Sequence, residues 1–323
     1  MEFFTSDRIY DFMGKSKLFI SISLLLILGS YLLLFTRGLH YGIDFAWGTI
    51  VQVRYEGKAP IASIREALKK RDLFKSASVT EFGAPNEVII RIPTSSTAVG
   101  NDIGDSVRTL LASTGRFEVR RVDMVGPKVG SELREKGLMA MVLSILAILI
   151  YVAFRFEWRF AIASILALVH DVSIALGAIS LFQIDVNLDI LAALLTIMGY
   201  SLNDTIIVFD RIRESIRETK IGDLFALINE SVTRTLSRTT LTSLTTFFVV
   251  LTLFLFGGEI IYGFSFTMLI GVVVGTYSSI FVASPLLKWL GFDIAAFRKK
   301  EAEKEKRRIE KEKMRAKYEG GVV

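Results

Sequence analysis

The sequence predicts a polytopic α-helical membrane protein, with six transmembrane helices and a small α+β domain between the first and the second. Three observations predict it. Hydrophobic residues make up 51% of the 323-residue chain, more than an ordinary soluble domain of that length carries. They collect in six runs, each roughly 18 to 28 residues and long enough to cross about 30 Å of hydrocarbon as a helix. The Lys and Arg of the short connections all fall on one side of those runs.

The runs are Leu18–Thr36, Gly137–Phe154, Phe160–Ile184, Leu188–Phe209, Thr239–Gly258 and Ile260–Leu287. The first follows Lys15 and Lys17 as a signal peptide would. It is too long for the apolar core of one, and Phe35-Thr36-Arg37 is no small-residue cleavage site, so it reads as an uncleaved anchor. Arg8, Lys15 and Lys17 precede it. Arg155 and Arg159 lie between runs two and three. Arg211, Arg213, Arg217, Lys220, Arg234 and Arg238 lie between runs four and five, and a Lys/Arg-rich tail follows run six. The connections at Asp185–Asn187 and Glu259 carry neither residue. Both termini are therefore expected in the cytoplasm. The chain divides into an inner N-terminal segment (1–17), helix one (18–36), an outer or periplasmic domain with linkers (37–136), helices two to six (137–287) and a charged inner tail (288–323).

The outer segment is long enough for one small domain. Thr49–Tyr55 alternates as a strand. Pro60–Arg71 reads as a helix with Ile61, Ile64, Ala67 and Leu68 on one side. Ser78–Phe82 and Glu87–Ile92 read as a hairpin across Gly83–Asn86, Ile103–Thr114 as a second helix and Phe117–Met124 as a last strand. The order β-α-β-β-α-β is the ferredoxin-like pattern, which hosts many functions. The tail from Arg298 to Lys317 is nearly all Lys, Glu and Arg, either a helix held by i,i+4 pairs or disordered. Its positive excess suits an inner-side determinant, with anionic membrane lipid or rRNA as alternatives. No nucleic-acid partner is assigned.

There is no cysteine, which excludes disulfides and thiolate metal sites. The only histidines are His40 and His170, no phosphate-binding loop, zinc motif or catalytic triad is present, and no enzyme activity, cofactor or metal is expected. The informative residues are charges at membrane depth, which insertion scales penalise by about 2.5–3.5 kcal/mol each. Asn203 and Asp204 lie near the inner end of run four, ahead of the cluster Asp210-Arg211-Ile212-Arg213-Glu214 that ends the span. At about 1.5 Å per residue, Asp204 sits roughly 8 Å below the boundary at Phe209. Run five starts just after Arg238, whose long side chain can bend towards Asp204. Burial and a cationic neighbour act on an acid in opposite senses, and the balance keeps it titratable, as a proton relay requires. A fixed ion pair that packs helices is the alternative.

Thr239, Thr242, Ser243 and Thr246 follow i, i+3, i+4, i+7 spacing and share a helix face, either lining a hydrated path or bonding across helices and to their own backbone. His170 and Asp171 lie roughly 15 Å into run three. Adjacent residues do not face each other on a helix, so one is expected to function while the other packs. Asp185 and Asp189 flank the outer turn, as the mouth of a path or as solvated residues. Gly271 and Gly275 make a small-xxx-small helix contact.

These residues carry a resemblance. Tyr41-Gly42-Ile43-Asp44-Phe45 looks like the G-I-D-F entry of the SecD/SecF family of protein-export membrane proteins, within the resistance-nodulation-division superfamily; Ala46-Trp47-Gly48 replaces its usual T-G-G. Val125-Gly126-Pro127-Lys128-Val129-Gly130 is similar to the V-G-P-x-V-G segment before the second span, and His170-Asp171-Val172 to the H-D-V of the third. Gly199-Tyr200-Ser201-Leu202-Asn203-Asp204-Thr205, then Val208-Phe209-Asp210-Arg211-Ile212-Arg213-Glu214, is the most specific match, followed by Arg234-Thr235-Leu236-Ser237-Arg238-Thr239. The resemblance covers nearly the whole chain and points to the SecF branch. It implies a multi-pass protein of the bacterial inner membrane and a six-span SecD partner. It also implies the SecYEG channel and YajC as further partners, a translocating polypeptide handled outside, and use of the proton motive force in late export. It implies proton passage at Asp204 and Arg238; the residues themselves add His170, Asp171, Asn203, Asp210, Thr239, Thr242, Ser243 and Thr246 as relay or helix-contact candidates. Half of a small-molecule exporter is the runner-up, although such exporters carry larger outer regions; a non-transporting scaffold is the third reading.

The topology is tested by single-cysteine labelling, for which the background is clean. A cysteine at Ser95 should react with an impermeant reagent from the outer side. Reaction only after the inner membrane is permeabilised contradicts the orientation.

Overall fold

The computed structural model describes residues 9–46, 48–82, 84–93, 103–219 and 221–319. Arg8, Trp47, Gly83, Ser95 and Lys220 lie outside them. The elements run α1 (Ser16–Thr36), α2 (Ile43–Ala46), β1 (Gly48–Tyr55), α3 (Ile61–Lys69), a short 3₁₀ turn, β2 (Ser78–Phe82), β3 (Ala84–Ile92), α4 (Ile103–Leu111) and β4 (Phe117–Val125). Then come α5 (Pro127–Arg155), α6 (Trp158–Phe182), α7 (Leu188–Glu218), α8 (Leu224–Phe256), α9 (Glu259–Ser278), a π-helical turn (Ser279–Ala283), α10 (Ser284–Trp289) and α11 (Ile294–Glu319). Six helical stretches among the described residues are long and apolar enough to span a membrane, α9 to α10 counting as one.

Several helices outrun their apolar stretches, because hydrophobicity stops at the membrane face and helical propensity does not. α5 starts at Pro127, where a missing amide proton costs no intrahelical bond. α7 continues through its charge cluster to Glu218. α8 begins at Leu224, capped by Asp223, which accepts from the amides of Phe225 and Ala226. These extensions build a core at the charged end: Ile212, Ile216, Leu227, Ile228 and Val232 pack with Met13, Leu287 and Phe297. The chain before α1 docks there. Asn229 accepts from the amides of Phe12 and Met13 at 3.0 and 2.9 Å and donates to Asp11. The Gly14 amide and Asn229 together hold the Asp11 carboxyl below its ordinary range. The tail is helical, with i,i+3 and i,i+4 pairs such as Arg308–Glu305 and Arg308–Glu312. The Arg298 side chain donates to the carbonyls of Ile216, Thr219 and Ile221, ending α7.

At the opposite end, the four strands form one antiparallel sheet ordered β2-β3-β1-β4. Val51, Val53, Val88 and Ile90 face Ile64 and Leu68 of α3 and Val107 and Leu111 of α4, all buried. Each contributes about 1.5–3 kcal/mol by leaving water. The hairpin is tighter than expected: Phe82 already pairs with Ala84, so β3 includes Pro85 and Asn86. A backbone bridge fixes this domain to the bundle. The Gly42 amide donates to Val186 O at 2.9 Å and the Val186 amide to His40 O at 2.7 Å. Gly42 lies against Asn187, where a Cβ would overlap that side chain. Asp44 of the G-I-D-F segment accepts from the Leu188 amide at 3.0 Å, placing a carboxylate on the N-terminus of α7. Asp185 is paired with Arg91 (2.5 Å) and His40 (2.6 Å), so it tethers the domain.

α1 is apolar all round, and its buried residues are Ser16, Ser23 and Ser30, one every seven. Small residues allow helix backbones to approach where lipid supplies no hydrophobic drive. Ser30 lies against Gly177 of α6, where any side chain would overlap it. Gly177→Leu should therefore lower stability by about 1–3 kcal/mol through overpacking, read as a fall in melting temperature of the purified protein in detergent. An unchanged melting temperature contradicts the contact.

Candidate functional site

Between the apolar core at the charged end and a second one nearer the sheet, which includes Ile190, Ala193, Leu194, Ile197 and Met268, lies a layer of polar side chains. Its geometry starts from glycines. Gly263, Gly271 and Gly275 bring α9 onto Ile190, Ile197 and Ser201 of α7 so closely that a Cβ at any of them would collide. That register sets Thr276 and Ser278 of α9 level with Leu202 and Asp204 of α7, and both hydroxyls reach carboxylates.

Asp204 is buried, at 1% exposure. Ser243 of α8 donates to its Oδ2 at 3.1 Å, and Thr276 Oγ1 lies 2.8 Å from Ser243 Oγ and 3.5 Å from the same Oδ2. Oδ1 of Asp204 has no hydrogen-bond partner among the described residues, and neither has the buried hydroxyl of Thr239, one turn along α8 from Ser243. One oxygen of this buried carboxylate is thus held by hydroxyls of two neighbouring helices, and the other has no partner among the described residues.

The second carboxylate is Asp171, fully buried on α6. Ser201 and Ser278 donate to its Oδ2 at 2.5 and 2.8 Å, and His170 Nδ1 lies 2.7 Å from Oδ1. This corrects the expectation that adjacent residues on a helix keep apart. The backbone does separate them, but an imidazole Nδ1 and a carboxylate both sit close to their Cβ atoms and can turn towards each other. His170 also stacks on Tyr277, with centroids 6.1 Å apart. Tyr277 donates to Phe19 O at 2.6 Å and meets Ser23 of α1 at 3.0 Å. Asp171 and Asp204 both take donors from one short stretch of α9, so the seam of α7 and α9 gathers them into one polar layer.

Other expected contacts do not form. Arg238 is exposed and makes no ion pair with Asp204. At 100° per residue it points about 140° away from Ser243, the α8 side chain that does reach Asp204. Asn203 also faces outward. Asp210 is half-exposed and pairs with Arg155 at 3.2 Å and Arg213 at 3.8 Å, outside the layer. The hydroxyl stripe divides. Thr239 and Ser243 point inward, whereas Thr242 bonds the carbonyls of Arg238 and Thr239, and Thr246 bonds that of Thr242.

The residues that sequence reasoning missed are Thr276, Tyr277 and Ser278. The signal was Thr276-Tyr277-Ser278-Ser279, a run of four consecutive hydroxyl residues in a span whose other hydroxyl residues are isolated. They run straight into the π turn Ser279–Ala283. Pro285 follows; its ring lacks an amide proton and crowds the preceding turn, and a wider turn relieves both. Ser284 satisfies the loosened Ser279 carbonyl at 2.9 Å.

The chain matches two family descriptions: "Protein export membrane protein SecD/SecF, C-terminal" over residues 106–293, and "SecD/SecF GG Motif" over residues 32–59. It is 50% identical to a protein translocase subunit SecF of Helicobacter pylori (strain J99), covering 100% of both chains. To the SecF subunit of Escherichia coli O157:H7 it is 42% identical, over 92% of this chain and 93% of that one. Among solved structures it resembles SecDF, a translocon-associated membrane protein from Thermus, with a TM-score of 0.79 and 37% identity over 89% of this chain. It spans only 39% of that SecDF chain.

Proposed function

The chain belongs to the SecD/SecF family of protein-export membrane proteins, and from that membership we infer that it is an accessory subunit of the bacterial Sec translocase that couples proton movement to polypeptide export. It is a multi-pass membrane protein. Family membership and a SecDF-like fold do not favour the reading as half of a small-molecule exporter. The charged end faces the cytoplasm and the sheet domain faces outward, in keeping with the Lys and Arg of the short connections.

The observation that carries the coupling is Asp204: buried at membrane depth, bonded through one oxygen to hydroxyls of two neighbouring helices, and open at the other. Asp204 takes up and releases the proton. Arg238 and Asn203, exposed on the bundle at the same end of the span, face a SecD-like six-span partner. Superfamily transporters place their sites where two related halves meet, and the SecDF chain that this one resembles is long enough to hold both. During the cycle α8 turns Arg238 towards Asp204 and sets when the proton leaves. Export itself proceeds through SecYEG, with YajC a further candidate in the assembly.

Asp204→Asn keeps size and hydrogen bonding but cannot ionise. It should assemble with its partner and lose gradient-driven export from membrane vesicles at matched protein levels. Arg238→Lys keeps the charge without the planar fork; it should retain part of the activity with a shifted pH dependence, and Arg238→Ala should be much worse. Near-normal export by Asp204→Asn would leave that residue a structural contact.

A further inference from the structure

Asp204 is not alone in its layer. Asp171 lies across the α7–α9 seam, and the same short stretch of α9 grips both acids: Thr276 at Asp204, Ser278 at Asp171. On α7, Ser201 holds Asp171 three residues before Asp204 itself. The two carboxylates therefore share α9 as a holding helix, and the helix that carries Asp204 also holds Asp171. Besides His170, the titratable groups that hydrogen bonds and ring contacts bring to this cluster are Asp204 on α7 and Tyr277 on α9, and α7 also carries Tyr200 beside Ser201, its buried hydroxyl without a partner among the described residues. α1 presents Ser23 to Tyr277, and its Tyr31 meets Ser173 at 3.3 Å. No Lys or Arg among the described residues pairs with either carboxylate, so neither is locked in its charged form by a permanent cation.

We propose that Asp171, with His170 as its proton partner, is a second proton-binding site of the bundle, and that its occupancy is coupled to that of Asp204 through the α7–α9 seam. This rests on the proton-driven reading above and deepens it.

The chemistry follows from the bonds. With Asp171 ionised, Oδ2 accepts two serine hydroxyl protons and Oδ1 accepts the Nδ1 proton of His170. His170 Nε2 then carries a lone pair, an acceptor that meets no donor among the described residues and is open to a proton. A proton added at Nε2 gives an imidazolium beside the carboxylate. Passing the Nδ1 proton to Oδ1 leaves a neutral imidazole and a neutral carboxylic acid, with one proton gained and no atom lost. A proton on Oδ2 instead forces Ser201 or Ser278 to turn its hydroxyl away, which changes the hold of α6 on α7 or α9. Because Thr276 is two residues from Ser278, and the π turn follows at Ser279–Ala283, a change in the grip on one acid shifts the donor to the other. Local π turns accommodate such adjustments without breaking the helix.

A structural role predicts something different. An asparagine at position 171 accepts from both serines and donates to His170 Nδ1, so a packing contact survives Asp171→Asn. The test therefore uses the full-length chain with its partner in lipid nanodiscs, and difference infrared spectroscopy of the protonated carboxyl stretch as a function of pH. In Asp204→Asn protein, a deuterium-sensitive carboxyl band should still titrate, and it should disappear in the Asp204→Asn/Asp171→Asn double variant. Ser278→Ala, which retains both acids, should displace the titration of that band. In vesicles, Asp171→Asn should lose gradient-driven export by at least about tenfold, and His170→Asn, which keeps a donor near Nδ1 but cannot titrate, should change the pH profile. A single-variant spectrum whose carboxyl bands are indifferent to the second substitution overturns the proposal. So does a Ser278→Ala spectrum with an unmoved titration, which holds even if Asp171→Asn fails to accumulate. Wild-type export with an unchanged pH profile in folded Asp171→Asn overturns it as well. The infrared result does not depend on export, so a failure at Asp171 is separable from a failure of the role assigned to Asp204.

Discussion

A carboxylate buried at membrane depth has to be met by donors from the protein, since hydrocarbon supplies none, and that need organises the helices around Asp171 and Asp204. Each acid draws hydroxyls from two other helices: Ser201 and Ser278 for the first, Ser243 and Thr276 for the second. Hydroxyls are short, so the backbones carrying them must come close, and Gly263, Gly271 and Gly275 make that possible along the α7–α9 seam. The apolar cores above and below separate this polar layer from both ends of the bundle. A layer of this kind can hold a charge change without water passing straight through.

The two ends of the bundle are built differently and suit different tasks. At the sheet end, Asp44 at the start of α7 and the Asp185–Arg91 pair tie the sheet domain to the helix that carries Asp204. At the charged end, Arg298 closes the far terminus of that same helix with three hydrogen bonds. α7 is thus gripped at both termini and at its centre. α8, by contrast, turns much of its spanning surface outward, Arg238 included. A helix held along its length beside one held on a single side is a reasonable basis for movement of Arg238 relative to a stationary Asp204.

Much of this was legible in the sequence. Span count, the order of strands and helices in the sheet domain, and Asp204 as a buried intramembrane charge follow from hydropathy, alternation and the cost of such a charge. Helix ends were not, because α5, α7 and α8 continue beyond the apolar residues that mark the membrane. The site was half legible. Ser243 and Thr239 were found by spacing, but the same spacing included Thr242 and Thr246, whose hydroxyls bond their own helix. The Asp204–Arg238 pair failed because depth was counted and azimuth was not: two residues at similar depth can face opposite ways. Thr276, Tyr277 and Ser278 were passed over because hydroxyl residues are common in spanning helices. Only their consecutive run before Pro285 set them apart. The serine stripe of α1 was hidden in an apolar background where every face looked alike.

The most direct test of proton coupling is proton flux itself. Vesicles carrying the chain with the six-span partner and the channel proposed for it, loaded with a pH-reporting dye, should dissipate an imposed pH gradient faster while a polypeptide is being exported. With Asp204→Asn that export-dependent flux should be absent at equal protein content. Equal flux in the two preparations would contradict the account.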